Sequence, residues 1–145
     1  MTSCDPSRDT ETVVRRYFAV VGDLASTPAD LESLLDPRAR FVEHPNPIVP
    51  AGATRTVEET LAGFAAGKAL LREQDFDLHE VLVVGERAAI RGTWRGTVGI
   101  DAGRFTAGTE LVAEMAGLLT VRDGRVLEHE TFDCYHPFGG SSGLR

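Results

Sequence analysis

The chain has 145 residues, 42% hydrophobic and 26% charged, with 15 glycines, 7 prolines and a formal net charge of -7. That length suits one domain around one core, and the composition excludes a disordered or fibrous chain. The acidic balance, with no block of Lys or Arg, repels phosphate backbones and anionic lipid and argues against nucleic acid as a partner.

In chain order, Met1–Asp9 reads as a polar tail with no apolar stretch for a signal peptide. From Thr10, the residues Val13, Val14, Tyr17, Phe18, Val21 and Leu24 recur at three- and four-residue spacing and predict an amphipathic helix, capped by Asp9 or Thr10. Thr27 before Pro28 opens a second, short helix that carries Leu31, Leu34 and Leu35 and ends before Pro37. Ala39–Glu43 predicts a short edge strand. The run His44-Pro45-Asn46-Pro47, with Pro50 and Gly52, continues neither helix nor sheet and predicts a rigid loop. Thr56 and Glu59 form a capping box for a third helix with Val57, Leu61, Phe64 and Leu71 on its apolar side; its Gly63 and Gly67 suggest close packing. The period then changes from helix to strand. Segments near 74–84, 87–97, 110–121 and 125–135 predict an antiparallel meander, with hairpin turns at Gly85-Glu86 and Asp123-Gly124. Residues 139–145 read as a flexible tail, and the whole of 1–145 as a single domain.

Two cysteines, Cys4 and Cys134, provide no disulfide framework, and no apolar run reaches the ~20 residues that span a bilayer. A cytoplasmic location without membrane attachment is the expectation. The four histidines, at 44, 79, 129 and 136, have no metal-ligand spacing, and no Walker loop, dinucleotide fingerprint or nucleophile elbow is present. Neither metal nor cofactor is expected.

Helices segregated before a run of strands define an α+β fold in which the helices cover one face of the sheet. Four stretches carry a family resemblance: Phe41-Val42-Glu43-His44-Pro45-Asn46-Pro47, Trp94-Arg95-Gly96-Thr97, Arg122-Asp123-Gly124-Arg125-Val126 and Phe132-Asp133-Cys134-Tyr135-His136-Pro137-Phe138. With the order of elements, they make residues 10–138 resemble the nuclear transport factor 2-like superfamily, in particular its SnoaL-like polyketide cyclase and ketosteroid isomerase-like branch. The resemblance implies a cone-shaped roll: a curved antiparallel sheet and N-terminal helices enclosing a pocket for a small hydrophobic organic ligand. It also implies a homodimer formed through the outer sheet face. It does not imply one reaction, because the family includes isomerases, cyclases, dehydratases, hydrolases and proteins without catalysis. The epoxide hydrolase branch has an Arg and an Asp two residues apart on one strand; here Arg91 is followed by Gly92 and Thr93, which disfavours that branch.

Asp133 is the first candidate for a general base. It lies near the end of the last strand beside Phe132 and Tyr135, where partial burial raises a carboxyl pKa toward working pH. An Asp in this part of the chain is the acid or base of SnoaL-like cyclases, and Asp133 is the nearest match. The alternative is a carboxylate that only accepts backbone hydrogen bonds. His44, on the rigid loop, is a candidate donor or proton shuttle at a pocket mouth, or a residue that fixes the loop. Asn46 binds a ligand oxygen or holds that loop. Tyr17 faces the core and either points its hydroxyl into the cone or packs there; a Tyr and a protonated Asp stabilise an enolate oxygen in ketosteroid isomerase. Trp94, Phe41, Met115 and Tyr135 are candidate substrate-binding residues. Glu114 serves the pocket, faces solvent, or meets Arg91 or Arg95. Glu128, His129 and Glu130 read as a solvated face or a cross-strand charge pair, although His129 shares strand parity with Asp133.

Together these residues point to a cofactor-independent cyclase or isomerase acting on a hydrophobic carbonyl compound. The alternative is a non-catalytic module of the same fold that sequesters a ligand or holds a protein partner.

Overall fold

The structure, a computed structural model, describes residues 6–138. Cys4 and the tail expected at 139–145 lie outside the described residues, as does the first part of the N-terminal tail.

Helix α1 spans Pro6–Val21 and so begins inside the segment expected to be tail. Proline suits the first helical position because its missing N–H is one the helix would leave unpaired. Thr10 is therefore not a cap. It lies within the helix, 2% exposed, and its hydroxyl donates to the Gly85 carbonyl at 2.6 Å. The helix buries Val14, Tyr17 and Phe18 and gives way at Gly22, where a Cβ would stand 2.9 Å from the Phe76 Cβ. Helix α2, Pro28–Glu32, has the expected cap: Thr27 Oγ1 accepts from the Asp30 N–H at 3.2 Å, and Asp30 Oδ2 accepts from the Thr27 N–H at 2.8 Å.

Strand β1, Leu35–Glu43, is longer than its sequence signal and includes Pro37, which sits where the pairing slips between Leu35 and Arg40. It is not an edge strand. It pairs antiparallel with β2 (Ala53–Arg55), a strand that the sequence reading missed, and parallel with the last strand, β6 (Arg125–Tyr135). Between them come α3 (Val57–Leu70), β3 (Leu71–Val84), β4 (Arg87–Val98) and β5 (Glu110–Arg122). The Thr56–Glu59 capping box opens α3 as expected, but no residue of that helix is fully buried, and Leu71 already belongs to β3.

One curved, unclosed sheet results, in the order β2-β1-β6-β5-β4-β3, antiparallel throughout except at the β1–β6 pair. The hairpin turns fall where the sequence places them. Asp123 and Gly124 have φ of 52° and 77°, the pair of positive values that a two-residue turn between right-twisting strands requires. Helix α1 lies across the inner face, packed against β3, β4, β5 and β6. Val14, Phe18, Leu31, Leu119, Val121 and Val126 fill the core there; each fully buried aliphatic chain contributes about 1.5–3 kcal/mol by leaving water. No helix among the described residues is long and apolar enough to cross a membrane.

Candidate functional site

The last strand changes character along its length. Between Val126 and Glu128 the pairing with β5 skips Leu127, and from there the odd-numbered residues His129, Thr131, Asp133 and Tyr135 face inward. Polar groups thus replace aliphatic ones on the inner face. With Tyr17 from α1, Phe41 and Glu43 from β1, and Thr60, Gly63 and Gly67 from α3, they line a cavity of about 450 Å³. A second space of about 400 Å³ shares Glu43, Ile48, Gly63, Gly67 and Tyr135 with it, and is walled by Val21, Phe64, Leu71, Trp94, Phe105 and Leu111. The combination of an apolar half with a few convergent polar groups is the usual make-up of a small-molecule site, and both volumes fall within the usual range.

Asp133 is the group in this cavity best suited to move a proton. Burial raises its carboxyl pKa above the ordinary 3.8, and the negative charge of Glu43 raises it further, while a 2.5 Å hydrogen bond from Thr131 Oγ1 lowers it. Glu43 is fixed beside it by two donors: Arg55 Nη1 donates to its Oε1 at 2.7 Å and Asn46 Nδ2 to its Oε2 at 2.8 Å.

Two phenols face the same space. Burial raises the pKa of Tyr17 and of Tyr135 above 10.0, and the charges of Asp133 and Glu43 add to the effect at Tyr135. Both are protonated at neutral pH and able to donate. The Tyr135 hydroxyl has no hydrogen-bond partner among the described residues, so its proton is available to a ligand. Tyr17 Oη lies 2.8 Å from His129 Nδ1, and its single proton is directed to the imidazole or into the cavity according to which ring nitrogen is protonated. His129 itself is neutral: burial pushes its pKa from 6.5 to about 4. Its Nε2 is enclosed and without a partner among the described residues, 3.2 Å from where a Cβ on Gly117 would stand.

The other expected site residues divide into cavity and non-cavity groups. Phe41 and Trp94 line the cavity, with Trp94 Nε1 donating to Gln74 Oε1 at 2.8 Å. Met115 shares the inward face, opposite Asp133 in register, but does not line the space. Asn46 is 7% exposed and fully used. It donates to Glu43 and to the His44 carbonyl, and accepts from the Ile48 and Val49 N–H groups, so it holds the loop rather than a ligand.

His44 and Glu114 are both on the other side of the sheet. His44 Nε2 bonds Glu130 Oε2 at 2.6 Å, and its ring stacks on Phe132 at 4.3 Å, because even-numbered residues of β6 face outward. Glu114 accepts from Thr93 Oγ1 at 2.8 Å and lies 2.8 Å from His136 Nε2; these hydrogen bonds, Thr93 first, hold its carboxyl below its ordinary value. Neither residue can act inside the cone. The sequence reading missed Glu43, Arg55 and Thr131, and it read His129 with Glu128 and Glu130 as a solvated face or a cross-strand charge pair, whereas His129 faces inward and is enclosed in the cavity wall. Strand alternation from Phe41 and Asp133 pointed to Glu43, Thr131 and His129, whereas Arg55 lies on a strand of three residues that carries no periodic signal.

A family model described as the SnoaL-like domain matches residues 14–129. The chain belongs to the SnoaL-like family. No curated protein matches it in sequence. Among solved structures, this SnoaL-like domain is similar to IdmH from Streptomyces antibioticus, a proposed polyketide cyclase, with 23% identity over 86% of this chain and 91% of that one and a TM-score of 0.69. A proposed SnoaL-like polyketide cyclase from Jannaschia sp. CCS1 shares 19% identity over 92% of this chain and 90% of that one, with a TM-score of 0.71. A protein of ketosteroid isomerase-like fold from Catenulispora acidiphila, bound to trimethylamine, shares 18% identity over 83% of each chain, with a TM-score of 0.65. At these identities the likeness is one of fold.

Proposed function

We propose that this SnoaL-like domain is a cofactor-independent acid–base enzyme that moves a proton on a hydrophobic carbonyl compound, as in aldol cyclisation or double-bond isomerisation. The observation that carries this reading is Asp133: a carboxyl group of raised proton affinity that faces a cavity holding two protonated phenols and an apolar annex. In the proposed step, the Asp133 carboxylate takes a proton from the carbon beside the carbonyl, and the bonding pair moves onto the carbonyl oxygen. The Tyr135 hydroxyl donates to the resulting enolate oxygen. Tyr17 adds a second donor when His129 Nδ1 carries the imidazole proton. In an isomerisation, the neutral Asp133 returns that proton to a carbon further along the conjugated system. In an aldol closure, the enolate carbon bonds to a second carbonyl carbon, whose oxygen takes the proton. Trp94, Phe64 and Phe105 exclude water from the apolar half and strengthen these contacts.

The reading is tested with a thermal-shift screen of steroids, aromatic polyketides and small cyclic ketones, followed by turnover of the compounds that bind. Asp133→Asn should abolish turnover and leave the folded spectrum intact. Full activity in that variant would remove Asp133 from the mechanism, and binding without turnover in the wild type would favour the ligand-sequestering alternative. We further propose a cytoplasmic location, and a homodimer that pairs through the outer sheet face; the pairing is supported by Leu82, Leu118 and Phe132 standing 58%, 37% and 40% exposed there. A monomer mass by light scattering would overturn that part.

A further inference from the structure

We infer that Gly63 and Gly67, on the cavity face of α3, determine the bulk of the ligand that this site admits, and that a flat, ring-bearing body lies against them. The inference rests on the reading that the cavity holds a small molecule. It does not depend on Asp133 being catalytic.

Two glycines inside a helix of 14 residues each cost about 1 kcal/mol relative to alanine, so something has to offset them. Backbone conformation does not: neither is among the glycines with positive φ, which are Gly52, Gly85, Gly103, Gly108 and Gly124. Packing does not either. A Cβ built on Gly63 or Gly67 meets no heavy atom within 4 Å, which contradicts the close packing their sequence context suggested. The contrast with the sheet glycines is direct, since a Cβ at Gly92 would stand 2.6 Å from the Asp77 carbonyl oxygen and one at Gly96 2.6 Å from the Trp94 ring. Those positions require glycine, whereas the two in α3 leave room.

The room they leave is the site itself. Four residues apart, the glycines share one helix face, and both line both halves of the cavity. Thr60, three residues before Gly63 on that face, also lines the polar half; its Oγ1 is enclosed and has no hydrogen-bond partner among the described residues. An enclosed hydroxyl of this kind is costly until something bonds it. A bare helix backbone lets a planar ring approach closely. The ligand therefore has its ring system along Gly63 and Gly67, its oxygen function toward Thr60 and Asp133, and its far edge between Phe64 and Trp94.

The test uses Gly67→Leu, Gly63→Leu and Gly67→Ala, with anthrone as a three-ring ketone and cyclohexanone as a one-ring ketone. Binding is read from the fluorescence of Trp94, the chain's one tryptophan. Gly67→Leu should melt at or above the wild-type temperature and weaken anthrone by about tenfold or more while changing cyclohexanone by less than about twofold. Gly63, the more exposed of the pair, should give a smaller loss. Gly67→Ala should melt above wild type. A folded Gly67→Leu that binds anthrone as the wild type does would overturn the inference, as would equal weakening of both ketones, or Gly67→Ala melting below wild type. Failure of either ketone to bind the wild type would overturn it too. Asp133→Asn run alongside separates the two claims: size discrimination should survive in it, whether or not turnover does.

Discussion

Replacing His129 by Asn should remove a defined part of the protein's sensitivity to acid. The imidazole packs edge-on against the rings of Tyr17 and Phe18, with centroid distances of 5.4 and 5.5 Å, and its pKa falls from 6.5 to about 4 because burial disfavours the charged form. Below pH 6.5 the unfolded chain takes up a proton that the folded one refuses, so the contribution of His129 is fully present above 6.5 and is lost as pH falls toward about 4. At about 1.4 kcal/mol for each tenfold difference in proton affinity, the gap is worth about 3 kcal/mol, a large share of the 5–15 kcal/mol that typically holds a domain together. Asn keeps a polar atom within reach of Tyr17 Oη but does not titrate. Urea unfolding of both proteins at about pH 7.5 and about pH 4.5 isolates the effect, because the other titratable groups contribute equally to each. The wild type should lose about 2–3 kcal/mol more than the variant over that interval. Equal losses would refute the claim that the folded state keeps this imidazole neutral.

Glu43→Gln removes a negative charge that raises the proton affinity of Asp133, so any Asp133-dependent activity should switch at a lower pH; Thr131→Val removes the hydrogen bond that lowers it, so the switch should move higher. Shifts in the same direction in pH–rate profiles would break the argument. His44→Ala should leave ligand affinity within about twofold of wild type, since His44 lies outside the cone, and its half-exposed pair with Glu130 should cost at most about 1 kcal/mol of stability. A large loss of affinity, measured by titration calorimetry, would place His44 back in the site.

The architecture was legible because its signals are local: the Thr27 and Thr56 caps, the two-residue turns at 85–86 and 123–124, and the change of period after α3 each act within a few residues. What was not legible depends on partners distant in sequence. β1 extends back through Pro37 and becomes an interior strand only because β6 pairs with it in parallel, and β2 is too short to show any alternation. The site divides in the same way. Asp133, Tyr17 and Tyr135 could be singled out from type and position, and Glu43 and His129 share their strand parities with known inward residues. The side of the sheet taken by His44 and Glu114 could not be read, because a loop residue has no parity and the face of β5 is set by its register with β4 and β6. The α3 glycines were misjudged for a related reason: the space beside a helix is a property of the elements across from it, not of the helix.

The central claim is that the cavity gives Asp133 an elevated proton affinity, and titrating its side-chain carboxyl carbon by NMR in the unliganded wild type tests it most directly. The account predicts a midpoint above 3.8, which moves down in Glu43→Gln. A midpoint at or below 3.8 would show that hydrogen bonding from Thr131 outweighs burial, and Asp133 would then be an ordinary carboxylate with no special fitness for proton transfer.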